Sequence, residues 1–229
     1  MSSAILIPDP AATRDLVTFL SRLSQVGLPQ VRVQFRAFVG GSTSPASSGN
    51  TAPNGVFAIT GCTMEPQMIL DGTPTVMVQR AVPAVSEAES VDKVVLAKAL
   101  TERFARVADD GEFLLQLPPS ETTAVWAGVS PPVSGWQFAG TVTAQSLRDV
   151  ANAGMREISE ALPVGSGQPV VQKLRSEVWG RSVLDGVPAG AAFSLETLGF
   201  LVGEREVKLF QAPGWSRLTT KYGAVIVRV

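Results

Sequence analysis

The residues best suited to specific recognition lie in a predicted hairpin within the last fifteen or so positions: Trp215, Arg217 and Tyr222. In a strand that begins at Trp215, alternation places Trp215, Arg217 and Thr219 on one face and the intervening residues on the other. Tryptophan and arginine combine a large apolar area with directed polar groups, and both are enriched where proteins bind each other. This group therefore predicts a site that binds a partner protein or a second copy of the chain.

A second interpretation of the same residues is structural. In it Trp215 packs under the last predicted helix, residues 188–202, and Arg217 is solvated. The exposed fraction of the Trp215 side chain distinguishes the two interpretations.

The sequence contains no histidine and one cysteine, Cys62. The absence of histidine excludes Ser-His-Asp and Cys-His catalysis, histidine-ligated zinc and histidine phosphotransfer. One cysteine forms no intramolecular disulfide and cannot supply a zinc–thiolate or iron–sulfur site. We therefore expect no cofactor and no metal. Because Cys62 lies in a β-like run, we expect a small buried residue rather than a reactive thiol.

Carboxylate, serine and lysine chemistry remains available to an enzyme without histidine. The acidic candidates Glu65, Asp71, Asp185 and the pair Asp109-Asp110 all fall at predicted turns or helix ends. There a side-chain acceptor satisfies local backbone N–H groups. The favoured function is thus a non-catalytic protein-interaction or regulatory module, and the alternative is a small-molecule-binding protein or a histidine-independent enzyme.

The alternative function needs a covered pocket, and residues 40–55 are its candidate lid. This run is rich in Gly, Ser, Thr, Pro and Asn, which predicts a long mobile loop. A deep pocket where the loop closes over Arg32, Arg36 or converging carboxylates would favour the alternative. A disordered loop above a flat sheet would weaken it.

The composition of the chain limits the classes of partner that it is expected to bind. The chain has 229 residues and a net charge of −1, which gives no general attraction to nucleic acid or to an anionic membrane. The first residues lack the features of a signal peptide, and no run approaches the roughly 18–20 apolar residues of a membrane span. With the single cysteine, these features predict a cytoplasmic protein that binds a protein partner or itself, and neither nucleic acid nor a membrane.

The elements that position these residues follow from sequence periodicity. Apolar residues at 3.6-residue spacing predict helices over residues 10–26, from Ser86 or Ser90 to 108, from Thr143 or Ser146 to 162, from Pro169 onward, and over 188–202. Alternation predicts strands at residues 31–39, 56–63, 75–82, 112–117, 123–129, 136–142, 206–210, 215–219 and 224–229. Strands that follow one another without helical crossovers favour an antiparallel or mixed sheet, and hence an α+β fold with a C-terminal helix and β-hairpin.

The domain organisation predicted from these elements has one division. Residues 1–162 form an α+β domain, and residues 163–229 form a helical and hairpin subdomain that is either separate from the first or continuous with it. Residues 163–168 are the candidate linker between them. Gly154 falls on the inner face of the helix before that linker, where the missing side chain permits another element to approach closely.

Overall fold

The computed structural model describes residues 4–38, 43–45, 51–67, 71–106, 111–161 and 167–228. The chain divides into two units. Unit 1 comprises Met1–Gly61 and Gln79–Gly128, and unit 2 comprises Cys62–Val78 and Val129–Val229. Antiparallel strands and helices occur in both, which confirms the predicted α+β class.

Unit 1 is built on a four-strand order β6-β2-β4-β5, with β1 paired to β5 and β7. Its elements are β1 (Ala4–Ile7), α1 (Pro10–Gln25), β2 (Gln30–Ala37), β3 (Thr43–Pro45), β4 (Thr51–Met64), β5 (Val76–Val85), β6 (Ser90–Leu96), α2 (Ala97–Phe104), β7 (Phe113–Gln116) and a 3₁₀ turn (Val125–Gly128). The last residues of β4 and the first of β5 belong to unit 2.

Helix α1 forms where the sequence predicts it. The Asp9 side chain accepts a hydrogen bond from the Ala11 N–H at 2.8 Å, and Pro10 occupies the first helical position. Its apolar stripe is buried, with Leu16 and Leu20 at 0% and 1% exposure. The amphipathic pattern therefore identifies the helix and its buried side correctly.

Unit 2 contains a four-strand order β13-β12-β11-β8, backed by three helices. Its elements are β8 (Gln137–Thr143), α3 (Ala144–Ala161), α4 (Gln168–Trp179), β9 (Ser182–Leu184), β10 (Val187–Pro188), α5 (Ala189–Thr197), β11 (Glu206–Ala212), β12 (Trp215–Thr220) and β13 (Gly223–Arg228). Arg228 N–H donates to the Thr75 carbonyl, so β13 also lies beside the chain that leads into β5. The predicted C-terminal helix and hairpin are confirmed as α5 and β12–β13.

The two faces of the unit 2 sheet differ in burial along β11, whereas in β13 residues of both faces, Ile226 included, are buried. One face, called the inner face here, carries buried aliphatic side chains at alternate positions: Val207, Leu209, Leu218, Val225 and Val227. Residues between them project to the opposite side, called the outer face. Helices α3, α4 and α5 contact one another, α5 contacts β13, and α3 contacts β8.

The helix predicted from Ser86 or Ser90 to residue 108 is wrong over its first half. Residues Ser90–Leu96 form strand β6, and the helix begins only at Ala97. Val91 and Val95 recur at a helical spacing of four, which favours a helix in the sequence. Both are buried opposite β2, where Val95 pairs with Val31, so strand pairing of a valine-rich run outweighs the helical spacing.

Two other predicted elements also need correction. The strand expected at residues 123–129 is instead a 3₁₀ turn, in which the Ala127 N–H bonds to the Ala124 carbonyl. The final helix is shorter than 188–202 and ends at Thr197. Gly199 adopts a φ of 65°, and the Phe200 N–H bonds back to the Leu195 carbonyl, which is a Schellman termination.

Residues 40–55 are described in part. Thr43–Pro45 and the beginning of β4 pair as antiparallel strands, so this portion is not the loop that its composition predicts. The remainder, residues 40–42 and 46–50, lies outside the described residues, as do the pair Asp109-Asp110 and most of the candidate linker. The predicted division into residues 1–162 and 163–229 stays a prediction. By contacts, β8 and α3 belong with the C-terminal elements in unit 2.

No helix in the described part of the chain is long and apolar enough to cross a membrane.

Candidate functional site

The predicted strand from Trp215 is β12, and its neighbours fix which residues share a face. Arg217 lies directly opposite Phe210 of β11, and Thr219 lies opposite Lys208. Opposed residues of antiparallel strands project to the same side of the sheet. The outer face therefore carries Trp215, Arg217 and Thr219, in the alternation that the sequence predicts.

Trp215 does not provide an exposed contact surface. Its side chain is buried, with 9% of its area exposed. The structure thus corrects the expectation of an exposed Trp/Arg pair, because Trp215 is buried, and it is buried on the outer face of the sheet. We accordingly exclude Trp215 from the candidate contact residues.

Arg217 is half-buried, and its guanidinium lies over aromatic rings other than that of Trp215. Its guanidinium carbon lies 4.4 Å from the ring centroid of Trp136 and 5.1 Å from that of Phe210. Both distances fall within the range of cation–π attraction. Phe210 in turn makes an edge-to-face contact with Phe138, with ring centroids 5.6 Å apart. Trp136, Phe138, Phe210 and Arg217 together are called the aromatic–arginine cluster.

Two local features of the backbone position the cluster. The Trp136 indole N–H donates to the Pro132 carbonyl at 2.9 Å, which fixes the ring that stacks on the guanidinium. In β8 the register against β11 shifts beside Gly140, whose φ of 119° is readily adopted only by glycine. Because of this bulge, Phe138 rather than Ala139 lies opposite Phe210. The bulge therefore brings a phenyl ring onto the outer face beside the stacked arginine.

The Arg217 guanidinium lacks a counter-charge among the described residues. None of their carboxylates forms an ion pair with it, and its Nε is buried without a hydrogen-bond acceptor. Burial lowers the pKa of Arg217 from its usual value, which still leaves the group charged at neutral pH. The neighbouring Thr219 hydroxyl is likewise buried without a partner. This arrangement leaves a partly desolvated cation able to accept an anionic ligand.

Tyr222 lies apart from the cluster. It occupies the turn between β12 and β13, where its backbone N–H bonds to the Thr220 hydroxyl at 3.2 Å. The Lys221 ammonium lies 4.8 Å from its ring centroid. Of the three residues predicted to bind a partner, only Arg217 is thus found in the aromatic–arginine cluster.

The acidic candidates for catalysis have structural roles or are isolated. Asp71 accepts hydrogen bonds from the Gln67 N–H, and from the N–H and hydroxyl of Thr73. These bonds, that from the Gln67 backbone foremost, hold the pKa of Asp71 well below its usual range. Asp185 lies in the turn between β9 and β10. Among the described residues, no group of three His, Cys, Asp or Glu side chains could hold a metal ion.

A cavity of about 620 Å³ in unit 2 bears on the small-molecule alternative. Its described lining combines Thr63, Gln172 and Arg175 with a single carboxylate, Glu65. One carboxylate does not supply a pair of carboxylates for general acid–base catalysis. In unit 1, Arg32 is occupied by a two-pronged ion pair with Asp92 at 2.7 and 2.6 Å. The small-molecule alternative is therefore left with an open cavity in unit 2 whose described lining contains no pair of carboxylates.

Cys62 is half-buried rather than fully buried, and its surroundings disfavour the reactive thiolate. Its Sγ lies 3.0 Å from the Met64 carbonyl, and burial, assisted by the nearby Glu65 charge, raises its pKa to about 12. The thiolate is the reactive form, so very little of it exists at neutral pH.

Alkylation of Cys62 should therefore be slow in the folded protein. At pH 8 we expect iodoacetamide to react at least about 100-fold more slowly than in the urea-unfolded chain, because both the raised pKa and burial oppose reaction. Mass spectrometry of timed samples measures the two rates. Similar rates in the folded and unfolded chain would contradict the buried environment.

Sequence reasoning missed the aromatic members of the cluster. The small and apolar residues that flank Trp136 favour a core position for it, yet it is half-buried and Phe138 is 61% exposed. The signal that could have found them is their spacing. Two aromatic residues at positions i and i+2 of one predicted strand indicate a shared face. Their proximity to Arg217 depends on the pairing of β8 with β11, which local sequence does not specify.

The comparison with protein families gives a match in the C-terminal part of the chain. Residues 131–229 are similar to a family described as a Domain of unknown function (DUF8185). This region includes the sheet β13-β12-β11-β8 and all four members of the aromatic–arginine cluster. A search of curated proteins gives no match for the chain.

Proposed function

We propose that this protein is a non-catalytic protein-interaction module that binds an acidic group of a partner protein at Arg217. The observation that carries the proposal is the Arg217 guanidinium, which lies over the rings of Trp136 and Phe210 without an acidic partner among the described residues. The Arg217 cation has lost part of its hydration, and no carboxylate in the described structure forms an ion pair that would offset this loss. An incoming carboxylate supplies that compensation.

Stacking prepares the arginine for binding. Two aromatic rings restrict the guanidinium plane, so less side-chain freedom is lost when a carboxylate binds its terminal N–H groups. Charge-assisted hydrogen bonds to a guanidinium are stronger than neutral ones, especially when both carboxylate oxygens accept. Arginine and tryptophan are also the residues that most often dominate binding energy at protein interfaces.

The surroundings of Arg217 have the charge and polarity expected of such a surface. Phe138 exposes 61% of its area beside the stacked guanidinium and provides apolar contact. On the outer face, Lys208 and Arg228 add positive charge, while Glu206 is the acidic residue of β11 on the same side. The surface is therefore complementary to an acidic segment that also carries an apolar side chain.

The class of partner follows from the rest of the chain. A net charge of −1 does not favour an extended basic surface for nucleic acid. The positive charge that favours an acidic partner is confined to the outer face. We place the protein in the cytoplasm because it has a single cysteine, which is half-buried and has a raised pKa. The proposed partner is consequently a protein rather than a nucleic acid or a lipid surface.

Selection from a displayed library of random heptapeptides tests the proposal. Wild-type protein should enrich peptides containing Asp or Glu, and Arg217→Gln should weaken the affinity of an enriched peptide at least tenfold. Arg205→Gln makes the same charge change at an exposed position of unit 2 outside the cluster and should leave the affinity within threefold. Equal losses in both variants, or enrichment without acidic residues, would contradict a specific role for Arg217.

A further inference from the structure

Strand β8 is an edge of the unit 2 sheet. It ends the strand order β13-β12-β11-β8, and among the described residues no further strand pairs with its free side. Its sequence contains no charged residue and no proline within Gln137–Thr143. Charged residues and proline are two of the features by which natural edge strands avoid pairing with another strand, and β8 has neither. The bulge at Gly140 leaves the segment from Thr141 to Thr143 as the regular part of this edge.

The hydrogen-bond pattern fixes which backbone groups point outward. The Ala144 N–H donates to the Arg205 carbonyl at 2.9 Å, immediately beyond the pairing of Thr143 with Glu206. In antiparallel strands, hydrogen-bonded and non-hydrogen-bonded pairs alternate. Val142 therefore bonds to β11, whereas the N–H and C=O groups of Thr141 and Thr143 point away from it. The Thr143 carbonyl already accepts a hydrogen bond from the Ser146 hydroxyl at 2.8 Å, which leaves the Thr143 N–H and both backbone groups of Thr141 for an added strand.

A groove borders the inner side of this edge. It has a volume of about 580 Å³ and is lined by residues of β8 and β11, by Ser146 at the start of α3, and by the β9–β10 turn. Leu184 and Leu209 provide its apolar part, and Asp185 and Gln211 provide polar groups. A strand added beside β8 would direct alternate side chains into this groove and the intervening ones toward the outer face.

We propose that the partner presents an extended segment that pairs with the free edge of β8 and reaches the aromatic–arginine cluster with an acidic side chain. This inference rests on the proposed function, because Phe138 belongs both to β8 and to the cluster and makes the two surfaces continuous. Main-chain bonds to Thr141 and Thr143 supply affinity in strand addition. The groove and Arg217 supply selectivity.

Charge favours a different protein over a second copy of the chain. Two copies pairing through β8 would each bring the sequence Gln137–Thr143, which carries no carboxylate, to the other's cluster. The Arg217 cation would gain no counter-charge from that strand. A partner segment with Asp or Glu supplies it, so the occupant is an acidic extended segment of another protein.

The probe for the experiment is the tightest-binding heptapeptide from the displayed random library, synthesised and added to the full chain. Hydrogen exchange measured by NMR should show the Thr141 and Thr143 amides at least tenfold more protected in the complex than in the free protein. Thr141→Pro removes the outward N–H and should weaken binding at least tenfold. Thr141→Ala, which keeps that N–H, should weaken it no more than threefold.

The outcomes separate this inference from the proposed function. If Arg217→Gln weakens binding while both amides stay unprotected and Thr141→Pro binds like Thr141→Ala, strand addition is overturned and the Arg217 surface stands. If no peptide binds, both proposals fail. A concentration-dependent dimer that Thr141→Pro abolishes would identify a second copy as the occupant and overturn the assignment to another protein. Amide protection is measured on the wild type, so it remains decisive if Thr141→Pro does not fold.

Discussion

Replacing Trp179 by alanine should lower the free energy of unfolding by about 3–5 kcal/mol, the usual cost of removing a buried tryptophan. Trp179 ends α4 and is 2% exposed, and its ring centroid lies 4.5 Å from that of Phe193 in α5. The substitution leaves a cavity where three helices meet. Chemical denaturation followed by circular dichroism measures the loss.

Phe138→Ala is the matched control for an aromatic-to-alanine change. Phe138 is 61% exposed, so its removal should cost about 1 kcal/mol or less. A loss for Trp179→Ala no greater than for Phe138→Ala would contradict the packing of α4 in unit 2.

Replacing Gly154 by valine should destabilise the fold by about 2–3 kcal/mol. A Cβ at this position would meet Trp179 Cζ3 in direct overlap, with Cη2 at 2.7 Å and a methyl carbon of Val178 at 3.1 Å. Overpacking of a well-filled core usually costs about 1–3 kcal/mol, and valine adds a β-branched side chain to a helix. The sequence prediction that Gly154 permits close approach is confirmed, and Trp179 is the residue that approaches.

The two substitutions should be coupled. In the Trp179→Ala background the indole is absent, so Gly154→Val enters the vacated space and should cost at least about 1 kcal/mol less than in the wild type. Asn152→Ala, at an exposed position of the same helix, is the control and should change stability by less than about 0.5 kcal/mol. If the effects of the two substitutions are additive, then the space filled by Trp179 is not the reason that position 154 requires a glycine.

Elements with strong local signals are predicted correctly from the sequence. Helix α1 carries both an N-cap and an apolar stripe, and the hairpin β12–β13 carries alternation on either side of a turn. Such signals are encoded within a few residues, so no knowledge of distant contacts is needed. The elements whose prediction is wrong, β6 above all, depend on a partner strand: Val91 is buried only because β2 lies beside it.

The candidate site is predicted only in part for the same reason. Alternation places Arg217 on the correct face of its strand, but the burial of Trp215 is a tertiary property. Trp136 and Phe138 lie about eighty residues before Arg217 in the sequence and reach it through the pairing of β8 with β11. The register of that pairing depends on a single bulge at Gly140, whose effect on Phe138 cannot be deduced from local pattern.

The proposed interaction surface does not include the residues that hold the helices together. Arg217 and Phe138 lie on the outer face, whereas Trp179 and Gly154 lie in the helix layer of unit 2. Substitution of Arg217 removes a charged group that lacks an ionic partner among the described residues, so it should change stability little. Binding and stability can therefore be measured as separate consequences of separate residues.

A double-mutant cycle between Arg217 and the acidic residue of a selected heptapeptide tests the central claim most directly. Isothermal titration would compare wild type and Arg217→Gln, each with the peptide and with its Asp→Asn or Glu→Gln counterpart. A direct contact predicts a coupling free energy of about 1 kcal/mol or more, because either change alone removes the charge-assisted bond and the second then adds little. A coupling within about 0.3 kcal/mol of zero would show that Arg217 does not bind the carboxylate and would contradict the account.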